Sequence, residues 1–140
     1  MRNKILTFLF LVFAGTLLYS CQQAGQLEQD MYYTNGRDLY IKRCQNCHGE
    51  HGEGLEDLIP PLTDTLFLKK NKNKLACIIK NGMSEAITVD GRKFKEKMRP
   101  NGDLTDIDLA QLIVYITNAN GNKQGMYSTE AVAEDLKNCK

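Results

Sequence analysis

Cys44-Gln45-Asn46-Cys47-His48 constrains this chain more than any other stretch. Two thiols three residues apart, followed at once by an imidazole, form the attachment signature of a covalently bound haem. The spacing has a geometric reason. Each cysteine can form a thioether with one haem vinyl group, and His48 then lies beside the ring, where its Nε2 can bind iron. Two covalent bonds hold the group while the iron changes charge, which suits repeated one-electron cycling. Gly49 follows and lets the backbone turn away without a Cβ clash. Other uses of these residues fit less well. A structural zinc site needs a second pair of Cys or His ligands, and His51, Cys77 and Cys139 form no such pair. A thioredoxin-like dithiol needs a βαβ context, and none is visible.

The chain has 140 residues, one domain's worth, and its net charge of +1 argues against a nucleic-acid binder. Residues 1–20 read as a targeting segment. Arg2 and Lys4 form a basic start, and residues 5–19 are almost wholly apolar. That run is shorter than the ~20 residues of a spanning helix and matches the apolar part of a signal peptide. Leu18-Tyr19-Ser20-Cys21 resembles a bacterial lipobox, with Tyr19 bulkier than is usual. On that reading Cys21 becomes the acylated first residue of the mature protein, and its several acyl chains give a stable anchor. The alternatives are an uncleaved signal anchor, or cleavage near Ser20 with release. Residues 21–30 are polar and glutamine-rich and read as a flexible membrane tether, leaving 31–140 as the folded domain. The expected location is the bacterial cell envelope, as an exported, membrane-anchored lipoprotein facing the periplasm. Export agrees with the haem motif, because bacterial haem of this kind is attached outside the cytoplasm. It also permits disulfides. With Cys21, Cys44 and Cys47 assigned, Cys77 and Cys139 remain. An even remainder favours a bridge between them, the alternative being a buried free Cys77 and a loose Cys139.

Periodicity and caps predict a mainly helical domain. Thr34 and Asn35 read as caps of a short helix with Gly36, Leu39, Tyr40 and Arg43 on one face. A Gly-rich loop then runs to Pro60-Pro61-Leu62. A helical turn is expected at residues 66–68, and a helix carrying Leu75, Ile78 and Ile79 stops at Gly82. Residues 87–89 and 92–94 flank Asp90-Gly91 and read as a hairpin with a type I′ turn. Thr105 caps a last long helix, in which Leu109, Leu112, Ile113 and Ile116 follow the i, i+3, i+4, i+7 pattern. A weaker helix spans residues 130–137. So few residues make a modest core, and a buried haem would fill much of it, so the apoprotein is expected to fold poorly.

With these elements in order, the chain resembles a class I c-type cytochrome of the bacterial, single-haem type. The resemblance runs from Thr34 to about Asn122. It rests on Gly36 and Tyr40, the Cys44-Gln45-Asn46-Cys47-His48-Gly49 run, Pro60-Pro61-Leu62, Ile78-Ile79-Lys80-Asn81-Gly82, Met98, Leu104-Thr105-Asp106 and Tyr115-Ile116-Thr117-Asn118. It implies an all-α cytochrome c fold with a minor hairpin around one haem c. It also implies that Cys44 and Cys47 carry the haem, that His48 and Met98 are the axial ligands, and that the Pro60 carbonyl accepts a hydrogen bond from His48 Nδ1. The first and last helices should cross where Gly36 meets Tyr115. Methionine is more often core filler than ligand. Only Met98 lies in a Pro-containing loop directly before the last long helix, however; Met83 follows a helix and Met126 lies beyond the last one. The family usually has proline right after its ligand methionine. Here Arg99 intervenes before Pro100. His51 has no assigned role and reads as a solvated loop residue.

The resemblance implies an electron carrier rather than an enzyme. Its donor would be a quinol-oxidising complex or dehydrogenase, and its acceptor a terminal oxidase or reductase. From Lys69 to Arg99 basic residues far outnumber acids, which are only Glu85, Asp90 and Glu96. Lys69, Lys70, Lys72, Lys93, Lys95 and Lys97 therefore read as a rim that steers acidic redox partners. Ordinary solubilising charge is the plainer reading of such a run. Two other functions stay open at this stage: a haem enzyme or gas sensor with a labile sixth ligand, and a cytochrome subunit of a larger oxidoreductase.

Overall fold

The computed structural model describes residues 2–139, with side chains at all of them except 2 and 17–24. The side chains of Cys21 and of the lipobox around it are therefore outside what the structure describes. Among the described residues, no helix is long and apolar enough to cross a membrane. The chain divides into two units, Met1–Met31 and Tyr32–Lys140. The first lies within helix α1 (Arg2–Arg43) and exposes apolar side chains such as Ile5, Phe8, Phe10 and Phe13. α1 corrects one expectation. Thr34 and Asn35 lie inside this helix rather than at its start. Residues 26–33 hold good helix formers (Gln26, Leu27, Glu28, Gln29, Met31) and neither glycine nor proline, so no cap is needed where one was expected.

The second unit is built around α5 (Asp106–Asn118). Thr105 caps it, accepting from Asp108 N–H, while the Asp108 carboxylate accepts from Thr105 N–H at 2.9 Å. Leu109, Ala110, Leu112, Ile113, Val114, Tyr115, Ile116 and Thr117 of α5 are all buried. The end of α1 crosses α5 at Gly36. A Cβ there would strike the Gln111 carbonyl oxygen and lie 2.9 Å from Tyr115 Cβ, so only glycine lets the two backbones approach this closely. Tyr115 also packs its ring against Tyr33 and Tyr40, at 5.1 and 5.2 Å between centroids. The crossing near Tyr115 is therefore as the resemblance implied.

Three short helices and a hairpin complete the wall. α3 (Thr65–Lys70) starts at Asp64, whose Oδ1 accepts from Leu66 and Phe67 N–H at 3.0 Å each. The other oxygen of Asp64 accepts from Asp90 N–H at 3.1 Å, so one carboxylate ties α3 to the hairpin turn. A 3₁₀ turn (Lys72–Lys74) leads into α4 (Leu75–Asn81), which buries Leu75, Ala76 and Ile79 and ends at Gly82. β1 (Ile87–Val89) pairs antiparallel with β2 (Arg92–Phe94), Val89 facing Arg92. Asp90 and Gly91 have φ of 49° and 71°, the two positive values a type I′ turn requires.

The C-terminal segment belongs to the same core. Ser128 caps α6 (Thr129–Lys137), whose Val132 is fully buried. Cys77 of α4 and Cys139 after α6 form a disulfide, their Cα atoms 5.6 Å apart. The bridge closes a loop with a sequence separation of 62. In the chain-entropy model a loop of that size stabilises by about 4 kcal/mol. Cys77→Ser with Cys139→Ser is accordingly expected to lower the calorimetric Tm by about 15 °C or more. An unchanged Tm would mean that side-chain packing alone holds α6.

Candidate haem site

The end of α1 delivers the haem motif. Cys44 N–H donates to Tyr40 O at 2.8 Å, and Cys44 then starts the one-turn helix α2 (Gln45–His48). His48 N–H donates to Cys44 O at 2.9 Å, so the imidazole follows the first thiol by one helical turn. Gly49 ends the turn at φ 83° and ψ 168°, and the buried Tyr40 hydroxyl donates to its carbonyl at 2.6 Å. Burial pushes the Tyr40 phenol above its ordinary value, so it stays a neutral donor.

The loop after the motif is folded back onto it. Gly54 N–H donates to His48 O at 2.8 Å, and Leu62 N–H to Gly52 O at 2.7 Å. Gly54 has φ 74°, and a Cβ there would lie 2.9 Å from the Pro60 carbonyl carbon. These contacts set the Pro60 carbonyl 3.1 Å from His48 Nδ1. A carbonyl can only accept, so Nδ1 carries the proton and Nε2 keeps its lone pair. Burial also lowers the His48 pKa, partly offset by this hydrogen bond, which favours neutral imidazole at pH 7. An oriented neutral imidazole is what a metal requires of histidine.

A cleft enclosing about 630 Å³ of atom-free space, part of it open to solvent, lies beside these groups. Cys44, His48 and Pro60 line one side; Leu68, Ile79, Met98 and Leu112 are among the other lining residues. Apart from His48 and the Cys44 thiol, every lining side chain is a hydrocarbon or a thioether. Cys44 is half-buried and Cys47 exposed, and neither is bridged. Burial, with Cys47 beside it, raises the Cys44 thiol to about 11. Such a surface suits a large apolar plate, with the Cys44 thiol and the His48 imidazole in its wall and Cys47 exposed outside the lining. The residues present therefore fit a haem.

Met98 reaches the cleft from an isolated antiparallel bridge with Met83. Met83 N–H donates to Met98 O at 3.0 Å and Met98 N–H to Met83 O at 2.9 Å. Asn101 N–H then donates to Ile79 O at 3.1 Å and ties the following loop to α4. Met83 also lines the cleft, which the sequence reading missed. The signal was there. The register set by the Asp90-Gly91 turn, carried four residues outward from Ile87↔Phe94, puts Met83 opposite Met98. The role of Asp64 in joining α3 to the hairpin was missed as well.

Of the predicted rim, Lys69, Lys70, Lys93, Lys95 and Lys97 are exposed. Lys72 is half-buried. Its ammonium donates to Gln124 O at 3.1 Å and sits 5.4 Å from the Tyr127 ring centre, and burial lowers its pKa. It serves the packing of the C-terminal segment. His51 is exposed, as expected of a loop residue.

Comparison with known proteins points to the same cofactor. A profile of the cytochrome c family, described as Cytochrome c, matches residues 33–120. The chain is 25% identical over 108 residues to cytochrome c-552 of Thermus thermophilus, covering 74% of this chain and 82% of that protein. The match to a second cytochrome c-552, from a particular strain of the same species, has the same identity and covers 72% of that protein. The family's chemistry is haem-based electron transfer. This chain belongs to the cytochrome c family and carries covalently attached haem c.

Proposed function

We propose that the protein is a membrane-tethered electron carrier with one haem, held covalently by Cys44 and Cys47 and axially by His48 and Met98. The observation that carries this reading is an apolar cleft that gathers Cys44, His48 and Met98. Bound haem supplies a reversible one-electron couple. The chain sets its terms. Met98 offers a soft sulfur that favours ferrous iron and raises the potential. The apolar lining opposes the extra positive charge of the oxidised state. A change of 59 mV corresponds to ~1.4 kcal/mol for one electron, so modest changes in water access at the cleft mouth are measurable. Pro60 fixes the His48 ring and thereby the direction of Nε2. With His48 and Met98 both holding the iron, no substrate would reach it, which favours a carrier over an enzyme.

The exposed Lys69, Lys70, Lys93, Lys95 and Lys97 supply a basic rim for an acidic redox partner. The donor is a quinol-oxidising complex or dehydrogenase, and the acceptor a terminal oxidase or reductase. Such contacts are small and salt-sensitive. The proposed location is the periplasmic face of a bacterial membrane, with residues 1–20 removed and residues 21–30 as the tether to an acylated Cys21. Cys21→Ser is expected to release the haem protein from membranes into the soluble fraction. Full membrane retention of that variant would rule the lipid anchor out.

The axial assignment has an optical test. The ferric protein should show the weak far-red charge-transfer band of a thioether–iron bond, titrate reversibly with one electron, and bind carbon monoxide slowly when reduced. Absence of the band together with rapid carbon monoxide binding would favour an enzyme or sensor with an open sixth position. Copurification with a larger oxidoreductase in mild detergent would instead make the chain a fixed subunit.

A further inference from the structure

The cleft holds two thioethers, and the reading above uses one. We propose that Met83 is a reserve axial ligand, which takes the iron position opposite His48 when Met98 leaves it. The inference rests on the His48/Met98 reading and adds a second donor to it.

Three observations carry it. Met83 and Met98 both line the cleft that His48 lines. They are directly opposed in an antiparallel bridge and exchange both backbone hydrogen bonds, at 3.0 and 2.9 Å. In such a pair the two side chains leave the backbone on the same side, with Cβ atoms about 5 Å apart. The alternation of the hairpin agrees. Ile87 and Val89, which share the parity of Met83 along the chain, also line the cleft. Hence this face of the hairpin and of the bridge is the face turned to the cleft. Met126 packs against the core without lining the cleft, and Met31 is exposed in the first unit. The second thioether is thus specific to this wall.

The chemistry of exchange is simple. One iron–sulfur bond breaks and another forms. A thioether has no proton to release and no charge, so the exchange changes neither protonation nor oxidation state. Unbranched rotation about its first two side-chain bonds lets a methionine sweep its sulfur over several ångströms without moving the backbone. The backbone here is held. Gly82, at φ 72°, packs against the Met98 carbonyl, and a Cβ on it would lie 2.5 Å from that oxygen. Loss of the Met98 sulfur therefore leaves Met83 in place beside the opening. The consequence is a site that stays six-coordinate and closed to small ligands even when its first thioether is displaced or oxidised.

The test uses holoprotein variants Met98→Ala, Met83→Ala and the double variant. Two signals are read: the far-red band of the ferric form, and the strongly upfield methyl resonance of an iron-bound methionine in the proton spectrum of the ferrous form. Met98→Ala is expected to keep both signals at shifted positions and to bind carbon monoxide slowly. Met83→Ala is expected to resemble the wild type, and the double variant to lose both signals and bind carbon monoxide rapidly. Should Met98→Ala not accumulate, Met98→Leu fills the same volume and carries the same expectation. If Met98→Ala or Met98→Leu already behaves as the double variant does, Met83 is no reserve ligand, while a normal wild-type spectrum leaves the His48/Met98 reading standing. Loss of both signals in Met83→Ala alone would make Met83 the ligand with no reserve behind it and overturn the proposal. A wild type lacking both signals would fail the underlying reading itself.

Discussion

Replacing both motif thiols, Cys44→Ser with Cys47→Ser, is expected to give a chain with no covalently bound haem and no cooperative unfolding transition. The reason lies in the core. Leu68, Leu75, Ile79, Leu112 and Ile116 are buried and also line the cleft. A bound haem would fill the cleft that all five line. Removing the plate withdraws apolar contact at ~25 cal/mol per Å² and leaves space that the helices must close or flood. Net stabilities of small domains are only ~5–15 kcal/mol, so a loss spread over five core side chains removes most of it. Mass spectrometry reads the missing haem, and thermal melting followed by circular dichroism reads the lost transition. Either single replacement retains one thioether and should keep haem at reduced stability. A double variant that melts cooperatively at the wild-type temperature would show that the polypeptide is folded without its cofactor.

Gly82→Ala is expected to disable the methionine side of the site without touching a ligand. Gly82 has φ 72° and ψ −172°, a region that residues with a Cβ essentially do not occupy. Forcing one there costs about 1–3 kcal/mol in backbone strain. The new Cβ would also lie 2.5 Å from Met98 O, 2.9 Å from Pro100 N and 3.0 Å from the Arg99 carbonyl carbon. These are backbone atoms and cannot rotate away. The segment carrying Met98 and the segment carrying Met83, which follows Gly82 directly, must shift apart, which breaks their paired hydrogen bonds and moves both thioethers from their places on the cleft wall. The expected results are a Tm lower by about 5–15 °C, a diminished far-red band and faster carbon monoxide binding. The thioether-linked haem remains, because Cys44, Cys47 and His48 lie on a different part of the chain. A normal band in this variant would mean that the Met98 position does not depend on close packing against Gly82.

The parts of the site that rest on local chemistry were legible in the sequence. The cysteine–histidine motif fixes its own geometry within one helical turn. The Asp90-Gly91 turn demanded positive φ at both positions and has it. Thr105 caps α5 with a capping box, so the start of that helix was readable as well. What was not legible depends on distant pairing. Thr34 and Asn35 looked like caps because their side chains favour helix starts, but α1 already runs through them from upstream. Nothing in the local sequence says that Asp64 reaches the hairpin turn 26 residues on. Lys72 looked like any other surface lysine until the C-terminal segment, with Gln124 and Tyr127, came to lie over it. Met83 was the one feature within reach of sequence reasoning and not found. It needed the hairpin register to be carried outward past residues 84–86, which are not paired in β1.

The intact mass of the wild-type protein, purified from a host able to attach haem, tests the central claim most directly. The predicted result is the mature polypeptide plus one haem, with the added mass surviving denaturation and acid extraction, because both Cys44 and Cys47 hold it through carbon–sulfur bonds. The mass of bare polypeptide, or a haem that leaves on denaturation, would contradict it.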